Sequence, residues 1–357
     1  MSTTQSTQTY TVLSLFSGMG GMDVGFSEQV VVRQESVQAD FINDPHTIPG
    51  FVNLRRLPFT TVFQNDILKE AKKIADLNQW SHNYHLKDIQ TMLTENHVFP
   101  AADVITGGFP CQDFSHAGKR QGFDAERGTL YQAYVMVVDR VKPKIFLAEN
   151  VEGLLTMPGN PIQTIMSDFA NVGYTVKYQL IKCEDYGIPQ TRHRVIIMGV
   201  RNDCMVNPTI QSEENWNLLT ENKIHCPIGP YFQHLLEPTE TQDPAQQVYS
   251  KAKRLEKGQG QKEVLLTTYA PTMRAEHHGN IEFRRITGGK NNEPTLPERR
   301  LTVREAALIQ TFAPDCILTE PHRKTSMAYK PIGNAVPPLL GYLLGRKVVE
   351  ILSKIDG

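Results

Sequence analysis

One cysteine of the chain stands where a thiol could react. Cys111 follows Pro110 in the segment GGFPCQDFSHAG, residues 107 to 118, whose glycines are typical of a loop. A thiol that a proline fixes on a loop is positioned to attack a substrate, provided that its pKa is lowered or its acceptor is activated. The alternative is a small buried thiol that only packs against its neighbours.

A carboxyl group is predicted to meet that thiol. The apolar run PKIFLAENVEGLL, residues 143 to 155, indicates a strand that ends in Glu149 and Asn150. In a parallel sheet this strand and the strand before Cys111 end at the same edge, so Glu149 is a candidate proton donor beside the thiol. The alternative is a helix cap formed with Asn150.

Two arginines follow later in the chain. The segment QTRHRVIIMG, residues 190 to 199, places Arg192 and Arg194 on one side of a short strand and His193 on the other, because side chains alternate along a strand. Two guanidinium groups aimed together suit a phosphate or the carbonyl oxygen of a planar base. Surface ion pairs are the alternative.

A glycine turn and two acids indicate a nucleoside cofactor. FSGMGG, residues 16 to 21, lies between a predicted strand and a helix, so its backbone amides can approach a ligand closely. Glu35 ends the second predicted strand and could accept hydrogen bonds from ribose hydroxyls, while Asp66 ends the third and could accept from an adenine amino group. Each acid alone could be a turn or cap residue, but the ordered set favours the cofactor.

Strands and helices in alternation must position these groups. Apolar runs predict strands at residues 12 to 16, 30 to 36 and 60 to 67, in DVITGG before Cys111, before Glu149, and twice within 174 to 200. We therefore predict a doubly wound α/β sheet up to about residue 200, with its site at the carboxyl ends of the strands. Polar, Gln- and Pro-containing segments then predict a second lobe with long loops, and an apolar pattern from Leu339 predicts a helix that packs back on the first domain.

Composition narrows the class of protein. The 357 residues are 40% hydrophobic and 21% charged, without an apolar run of membrane-spanning length, and the polar start MSTTQSTQTY lacks the features of a signal peptide, so we expect a cytoplasmic protein. The five cysteines form no CxxC pair, and the spacing of Cys204, His225 and Cys226 matches no common zinc site. Residues 205 to 250 hold one Lys/Arg against six Asp/Glu, whereas residues 251 to 304 hold twelve against six.

In chain order the motifs resemble those of the C5-cytosine DNA methyltransferases of the bacterial or phage, restriction-modification type. The succession is FSGMGG, a strand-end acid, NDI, GGFPCQDFSHAG, LAENVEGLL, QTRHRV, RRLTVREAALIQTF and IGNAVPPLLG. The resemblance spans nearly the whole chain. It implies a Rossmann-like S-adenosylmethionine-dependent methyltransferase domain, residues 1 to 200 plus 325 to 357, and a smaller, irregular target recognition domain, residues 201 to 324.

The resemblance also implies a reaction. In the family, the cysteine matched by Cys111 attacks C6 of a cytosine flipped out of duplex DNA, and the methyl group of S-adenosylmethionine is transferred to C5. The family's glutamate, matched by Glu149, engages the exocyclic amine and N3 of the base. Arg194 would contact the cytosine carbonyl, and Arg192 would support the loop or the backbone contacts. No metal is implied, because methyl transfer from a sulfonium needs none.

The same resemblance assigns binding residues. Those expected to hold the cofactor are Phe16, Gly18, Gly20, Glu35, Asp66, Leu130 and Asn334. Ser36 follows Glu35 where the family usually has an aromatic stacking partner for adenine. Those expected to contact DNA are Ser115 and Lys119, on a loop that closes on the duplex, and Arg274, His277, His278, Arg284 and Arg285 in the basic part of the recognition domain. The expected partner is double-stranded DNA, with a monomeric enzyme paired functionally with a restriction endonuclease.

Two other functions compete with this one. The first is C5 methylation of cytosine in tRNA, which a branch with the same motifs performs, although its distinctive Cys-Phe-Thr tripeptide does not occur in this chain. The second is a catalytically silent DNA-binding regulator on the same scaffold. The presence of Cys111, Glu149 and Arg194 argues against a protein without catalytic activity. About ten residues before the first strand are too few for a helix-turn-helix.

Overall fold

A computed structural model describes most of the chain. The residues described are 8–110, 130–205, 218–219, 223–249, 263–275, 284–285, 299–320 and 326–357. Cys111, Ser115, Lys119, His277 and His278 lie outside them, and of Arg284 and Arg285 only the backbone is described.

The main sheet has seven strands within the described residues. In spatial order they are β6 (Tyr84–Leu86), β5 (Phe59–Asp66), β1 (Tyr10–Leu15), β7 (Val104–Gly107), β8 (Ile145–Val151), β11 (His193–Arg201) and β9 (Tyr174–Lys182). The strands from β6 to β8 pair in parallel, and β11 is antiparallel to both of its neighbours. Because β11 runs against β8, its first residues lie beside the last residues of β8. The end of β8 and the start of β11 therefore lie together at the carboxyl edge of the sheet.

Helices cover the two faces of the main sheet and form a second core beside it. In the described residues they are α1 (Gly21–Ser27), α2 (Lys69–Leu77), α3 (Ile89–Thr94), α4 (Leu130–Val141), α5 (Pro161–Asn171), α6 (Ile228–Phe232), α7 (Val303–Ile309), α8 (Tyr329–Asn334) and α9 (Pro338–Asp356). Alternation along the strands divides the core: Val104 and Leu147 face one side, with α1 and α9, while Ile105 and Phe146 face the other, with α3, α4 and α5.

The last helix packs on the first, as the apolar pattern from Leu339 predicted. Gly25 of α1 and Gly341 of α9 meet so closely that a Cβ atom at Gly25 would lie 2.4 Å from the backbone nitrogen of Tyr342. Gly21, at the start of α1, is equally close to Val336, since a Cβ atom there would lie 2.1 Å from the Val336 carbonyl oxygen. These contacts bring the C-terminal segment beside the turn at residues 16 to 21.

The second predicted strand does not join the main sheet. Residues 31 to 54 form a small sheet of their own, with β2 (Val31–Arg33) and β3 (Ile42–Pro45) antiparallel to the central β4 (Phe51–Leu54). The prediction of a main-sheet strand at 30 to 36 is therefore wrong. A short apolar run looks alike in either sheet, and the pairing of β2 with β4, which decides the matter, is not local.

The small sheet lies between two cores. Val32 and Val52 pack with the main-sheet core, whereas Val31 and Phe51 pack with Tyr231 and the other buried residues of α6 and α7. Ser36 Oγ and Tyr231 Oη form a buried hydrogen bond of 2.8 Å across the second contact. The small sheet thus joins the main-sheet core to the core formed by α6 and α7.

Four further two-residue strands form two short parallel pairs within the described residues. Gln190–Thr191 (β10) pairs in parallel with Ala270–Pro271 (β13), and Glu263–Val264 (β12) pairs in parallel with Arg284–Arg285 (β14). Among the described residues no helix is both long and apolar enough to cross a membrane.

Candidate active site

Glu149 and the loop before Cys111 lie against each other at the carboxyl edge of the sheet. β7 ends at Gly107, and a Cβ atom at Gly108 would lie 2.9 Å from Glu149 Oε2. Asn150 donates a buried hydrogen bond of 3.1 Å to the carbonyl oxygen of Phe109. A side chain at Gly108 would therefore displace the Glu149 carboxylate, and Asn150 supports the backbone that leads to Cys111.

Arg194 meets Glu149 across the β8–β11 boundary. Arg194 Nε lies 2.7 Å from Glu149 Oε1, and the two side chains are only 12% and 11% exposed. Among the described residues neither of these two atoms has an aligned hydrogen-bond partner. The Arg194 Nη1 group donates to the carbonyl oxygen of His193 at 2.7 Å. A buried charge pair with unused donor and acceptor capacity can still bind a polar substrate.

Arg192 lies in a different environment from Arg194. Its buried guanidinium donates to the carbonyl oxygens of Met273, Gly333 and Ala335 at 3.0 to 3.1 Å. Burial, and then the charge of Arg194, lower the pKa of Arg192 to about 9, so the group stays charged at neutral pH. The two arginines do not aim at one ligand group, contrary to the prediction, because Arg192 precedes β11 and is held by three separate carbonyls.

The turn at residues 16 to 21, here called the cofactor loop, has an open backbone. Phe16, Gly18 and Gly20 have positive φ angles of 52°, 55° and 89°. A Cβ atom at Gly18 would meet nothing within 4 Å. Asp66 holds the loop, since its Oδ2 accepts from the Gly18 amide at 2.8 Å and its Oδ1 from the Leu68 amide at 2.8 Å. A loop with free space above its amides can hold a polar ligand.

Asp66 ends the strand next to β1, and Glu35 does not. β1 pairs with β5 up to Leu15 opposite Asn65, so Asp66 follows directly at the edge. Glu35 follows β2 of the small sheet, and its carboxylate accepts from Arg33 at 2.8 and 3.1 Å. The strand-order argument that assigned Glu35 to a ribose is therefore wrong, because it assumed that residues 30 to 36 lie beside β1.

Asp88 is a further acid at a strand end that was not among the predicted residues. This residue follows β6, one strand beyond β5, and caps α3 by accepting from the Thr91 amide at 2.9 Å. Ile67, after Asp66, keeps 67% of its surface exposed beside the same edge. The sequence contained a signal, since KDI at residues 87 to 89 repeats the pattern of NDI at 65 to 67. β6 itself is too short and polar to be recognised.

Four more of the predicted residues lie in the described ranges: Phe16, Leu130, Asn334 and Arg274. Phe16 and Leu130 are both partly buried against the core cluster that contains Phe109. Asn334 is exposed at the end of α8, next to Gly333 and the Arg192 contact. Arg274 is exposed, and its backbone lies so near Gly333 that a Cβ atom there would be 2.2 Å from the Arg274 carbonyl carbon.

Comparison with known proteins identifies the family. The family model of C-5 cytosine-specific DNA methylase matches residues 10–350. The chain belongs to the C-5 cytosine-specific DNA methylase family. The prediction of this family, and of a cytosine-5 DNA methyltransferase, is thereby confirmed.

Relatives and solved structures agree with this membership. The chain is 33% identical to the Type II methyltransferase M.BspRI of Lysinibacillus sphaericus, over 96% of this chain and 82% of the relative. It is 35% identical to the Type II methyltransferase M.BsuRI of Bacillus subtilis, over 92% and 77%. The fold is similar to that of the methyltransferase EhMeth of Entamoeba histolytica, with a TM-score of 0.65 and 16% identity over 97% and 99% of the two chains.

The comparisons also bear on the predicted architecture. A central, mostly parallel sheet flanked by helices, together with the solved methyltransferase structures, confirms the prediction of a Rossmann-like α/β fold. Among the described residues no group of three or more His, Cys, Asp and Glu side chains could hold a metal ion.

Proposed function

We propose that the protein transfers a methyl group from S-adenosylmethionine to C5 of a cytosine flipped out of double-stranded DNA. The observation that carries this proposal is the contact of Glu149 with both Arg194 and the backbone at Gly108. A carboxyl group, a guanidinium and the backbone that leads to Cys111 are therefore close together at the sheet edge. Those are the groups that a poorly nucleophilic pyrimidine carbon needs for activation.

In the proposed reaction Glu149 and Arg194 act on the base. A protonated Glu149 donates to N3 while the Cys111 thiolate forms a bond to C6, so the electron pair of the C5–C6 double bond becomes available at C5. Arg194, released from its contact with Glu149, donates to the cytosine carbonyl oxygen. After C5 gains the methyl group, a base removes the C5 proton, the bond from sulfur to C6 breaks, and the C5–C6 double bond is restored. N3 then returns its proton to Glu149.

The cofactor loop and its neighbours fit S-adenosylmethionine, which supplies an electrophilic methyl group when bound. Asp66, on the strand next to β1, takes the ribose position that was expected of Glu35. Asp88, one strand further out, is placed to accept from the adenine amino group, and exposed Ile67 offers an apolar surface to the ring. The other proposed cofactor contacts are Phe16, Gly18, Gly20, Leu130 and Asn334.

Arg192 is proposed as a positioning residue. Its three carbonyl contacts tie the start of β11 to Met273 in the second lobe and to the segment at residues 333 to 335. Through the same segment it meets the region that carries Asn334. One buried guanidinium therefore links the base site, the recognition lobe and the cofactor side.

Duplex DNA is proposed to lie along the second lobe, which we take as residues 201 to 324. Exposed Arg274 stands beside the carboxyl edge, next to Gly333, so a phosphate or base held there would be near the site. Ser115, Lys119, His277 and His278, together with the side chains of Arg284 and Arg285, remain predictions outside the described parts. The Type II names of the relatives support a role in protecting DNA from a cognate restriction endonuclease.

The experiment is product identification. Unmethylated duplex DNA of high sequence complexity is incubated with the protein and labelled S-adenosylmethionine, digested to nucleosides, and separated by liquid chromatography and mass spectrometry. The label is expected in 5-methyldeoxycytidine. Label in N4-methyldeoxycytidine or N6-methyldeoxyadenosine, or transfer to tRNA without transfer to DNA, would contradict the proposal.

A further inference from the structure

His193, between the two arginines, is enclosed by carboxylates. Its Nδ1 lies 3.1 Å from Glu152 Oε2 and its Nε2 lies 2.9 Å from Glu184 Oε1. The imidazole is 27% exposed, Glu184 17% and Glu152 52%. An ionised carboxylate only accepts hydrogen bonds, so both ring nitrogens must carry a proton for both contacts to form. The geometry therefore selects the charged imidazolium.

Each carboxylate comes from a different element. Glu152 belongs to the 3-10 turn that follows β8, three residues after Glu149. Glu184 belongs to the 3-10 turn that follows β9. His193 is the first residue of β11, the strand between those two. The three side chains, here called the His193 clamp, therefore tie the start of β11 to the ends of both neighbouring strands.

The clamp is connected to the base site through the backbone. The carbonyl oxygen of His193 accepts from Arg194 Nη1 at 2.7 Å, while Arg194 Nε contacts Glu149 at 2.7 Å. Moving the backbone at His193 would therefore move the guanidinium relative to Glu149. The His193 carbonyl oxygen and the Glu149 carboxylate therefore hold the Arg194 guanidinium together.

We propose that charged His193, held between Glu152 and Glu184, is a positioning residue that keeps Arg194 oriented toward Glu149 and the target base. The inference rests on the proposed function, because it assigns Arg194 and Glu149 to the base site. It gives the residue between the two arginines a role of its own, distinct from contact with DNA. The two flanking carboxylates would repel a phosphate.

The clamp depends on pH. Burial acts to lower the pKa of His193, but the hydrogen bonds and charges of Glu184 and Glu152 outweigh it, and the pKa lies above its usual value. The facing charges also include Lys182, its partner across β9, and Arg194 on its own strand. A histidine pKa raised in the folded protein stabilises below the ordinary value and loses that effect as pH rises through the folded value. The clamp is therefore complete below the ordinary histidine pKa and is lost as the pH rises through the raised pKa of the folded protein.

Three variants test the proposal through the pH dependence of kcat. In His193→Gln the single side-chain amide cannot donate to both Glu152 and Glu184 as the two ring nitrogens do. We therefore expect kcat to fall roughly three- to thirtyfold at neutral pH. The KM for DNA and the Kd for S-adenosylmethionine should remain unchanged. His193→Arg keeps a cation between the carboxylates, so kcat should be retained and its decline on the alkaline side should move to higher pH.

Glu184→Gln provides the second, independent variant if His193→Gln folds poorly. Removing the nearer carboxylate lowers the His193 pKa, so the alkaline decline of kcat should begin at lower pH than in the wild type. The matched control is His82→Gln, which removes another histidine paired with a carboxylate, Glu28 at 2.6 Å, at the far end of α1 from the cofactor loop. Its pH profile should equal that of the wild type.

The outcomes separate the two proposals. A wild-type enzyme that binds cofactor but methylates no cytosine in DNA refutes the proposed function itself. A wild type that methylates DNA, with a His193→Gln variant whose kcat and alkaline limb are unchanged, overturns only the clamp. An equal loss of kcat in His193→Gln and His193→Arg, with no shift of the alkaline limb in Glu184→Gln, would also overturn it.

Discussion

Two Arg–Glu pairs of nearly equal length have different consequences in this protein. Arg194 and Glu149 approach to 2.7 Å and are both almost buried, while Arg33 and Glu35 approach to 2.8 Å with Glu35 54% exposed. The exposed pair is aligned and bidentate, so its donors and acceptors are satisfied. The buried pair is in contact but not aligned. A pair with unused hydrogen-bonding groups at a sheet edge can act on a substrate. A pair whose hydrogen-bonding groups are all used, on a separate sheet, stabilises at most the local structure.

The largest effect that this comparison predicts is on turnover. Glu149→Gln removes the proton donor to the base, and kcat should fall about 10²- to 10⁴-fold. Glu35→Gln weakens only an exposed ion pair and should leave kcat within about twofold of the wild type. Transfer of labelled methyl groups to duplex DNA, measured at saturating cofactor, tests both. Equal losses of activity in the two variants would contradict the distinction between the two ion pairs.

A smaller effect is predicted for cofactor binding. Asp66→Asn replaces a carboxylate that holds the Gly18 amide and is placed near the ribose, so the Kd for S-adenosylmethionine should rise roughly ten- to hundredfold. Glu35→Gln again serves as the matched control, because the original strand-order argument assigned the ribose to it. Isothermal titration calorimetry distinguishes the two, with thermal denaturation to verify folding. A higher Kd in Glu35→Gln alone would restore the assignment of Glu35 to the ribose.

The pattern of polar residues at strand ends predicted most of the sheet. Strands β1, β5, β7, β8, β9 and β11 each coincide with an apolar run in the sequence, and Glu149 and Arg194 meet at the predicted edge. For the central strands β1, β7 and β8 this succeeds because a parallel, buried strand is a largely apolar segment, and its carboxyl end is where the chain turns polar.

The rest depends on contacts between distant parts of the chain. The small sheet is created by the pairing of residues 31 to 33 with 51 to 53, and nothing within VVVRQES distinguishes that pairing from one with β1. Arg192 is buried only because carbonyls at residues 273, 333 and 335 converge on it. The two carboxylates around His193 likewise arrive from separate strand ends. Residue types predict which groups could react, but not which are already occupied.

The most direct test of the central claim is covalent trapping at the proposed site. A duplex is synthesised with 5-fluorocytosine in place of every cytosine, so that each possible target is present, and is incubated with the protein and S-adenosylmethionine. Fluorine at C5 cannot leave as a proton does, so the bond from sulfur to C6 should persist. We expect a cofactor-dependent adduct that peptide mass spectrometry maps to Cys111 and that Cys111→Ser abolishes. An adduct on another residue, or C5 methylation of ordinary DNA by Cys111→Ser, would contradict the account.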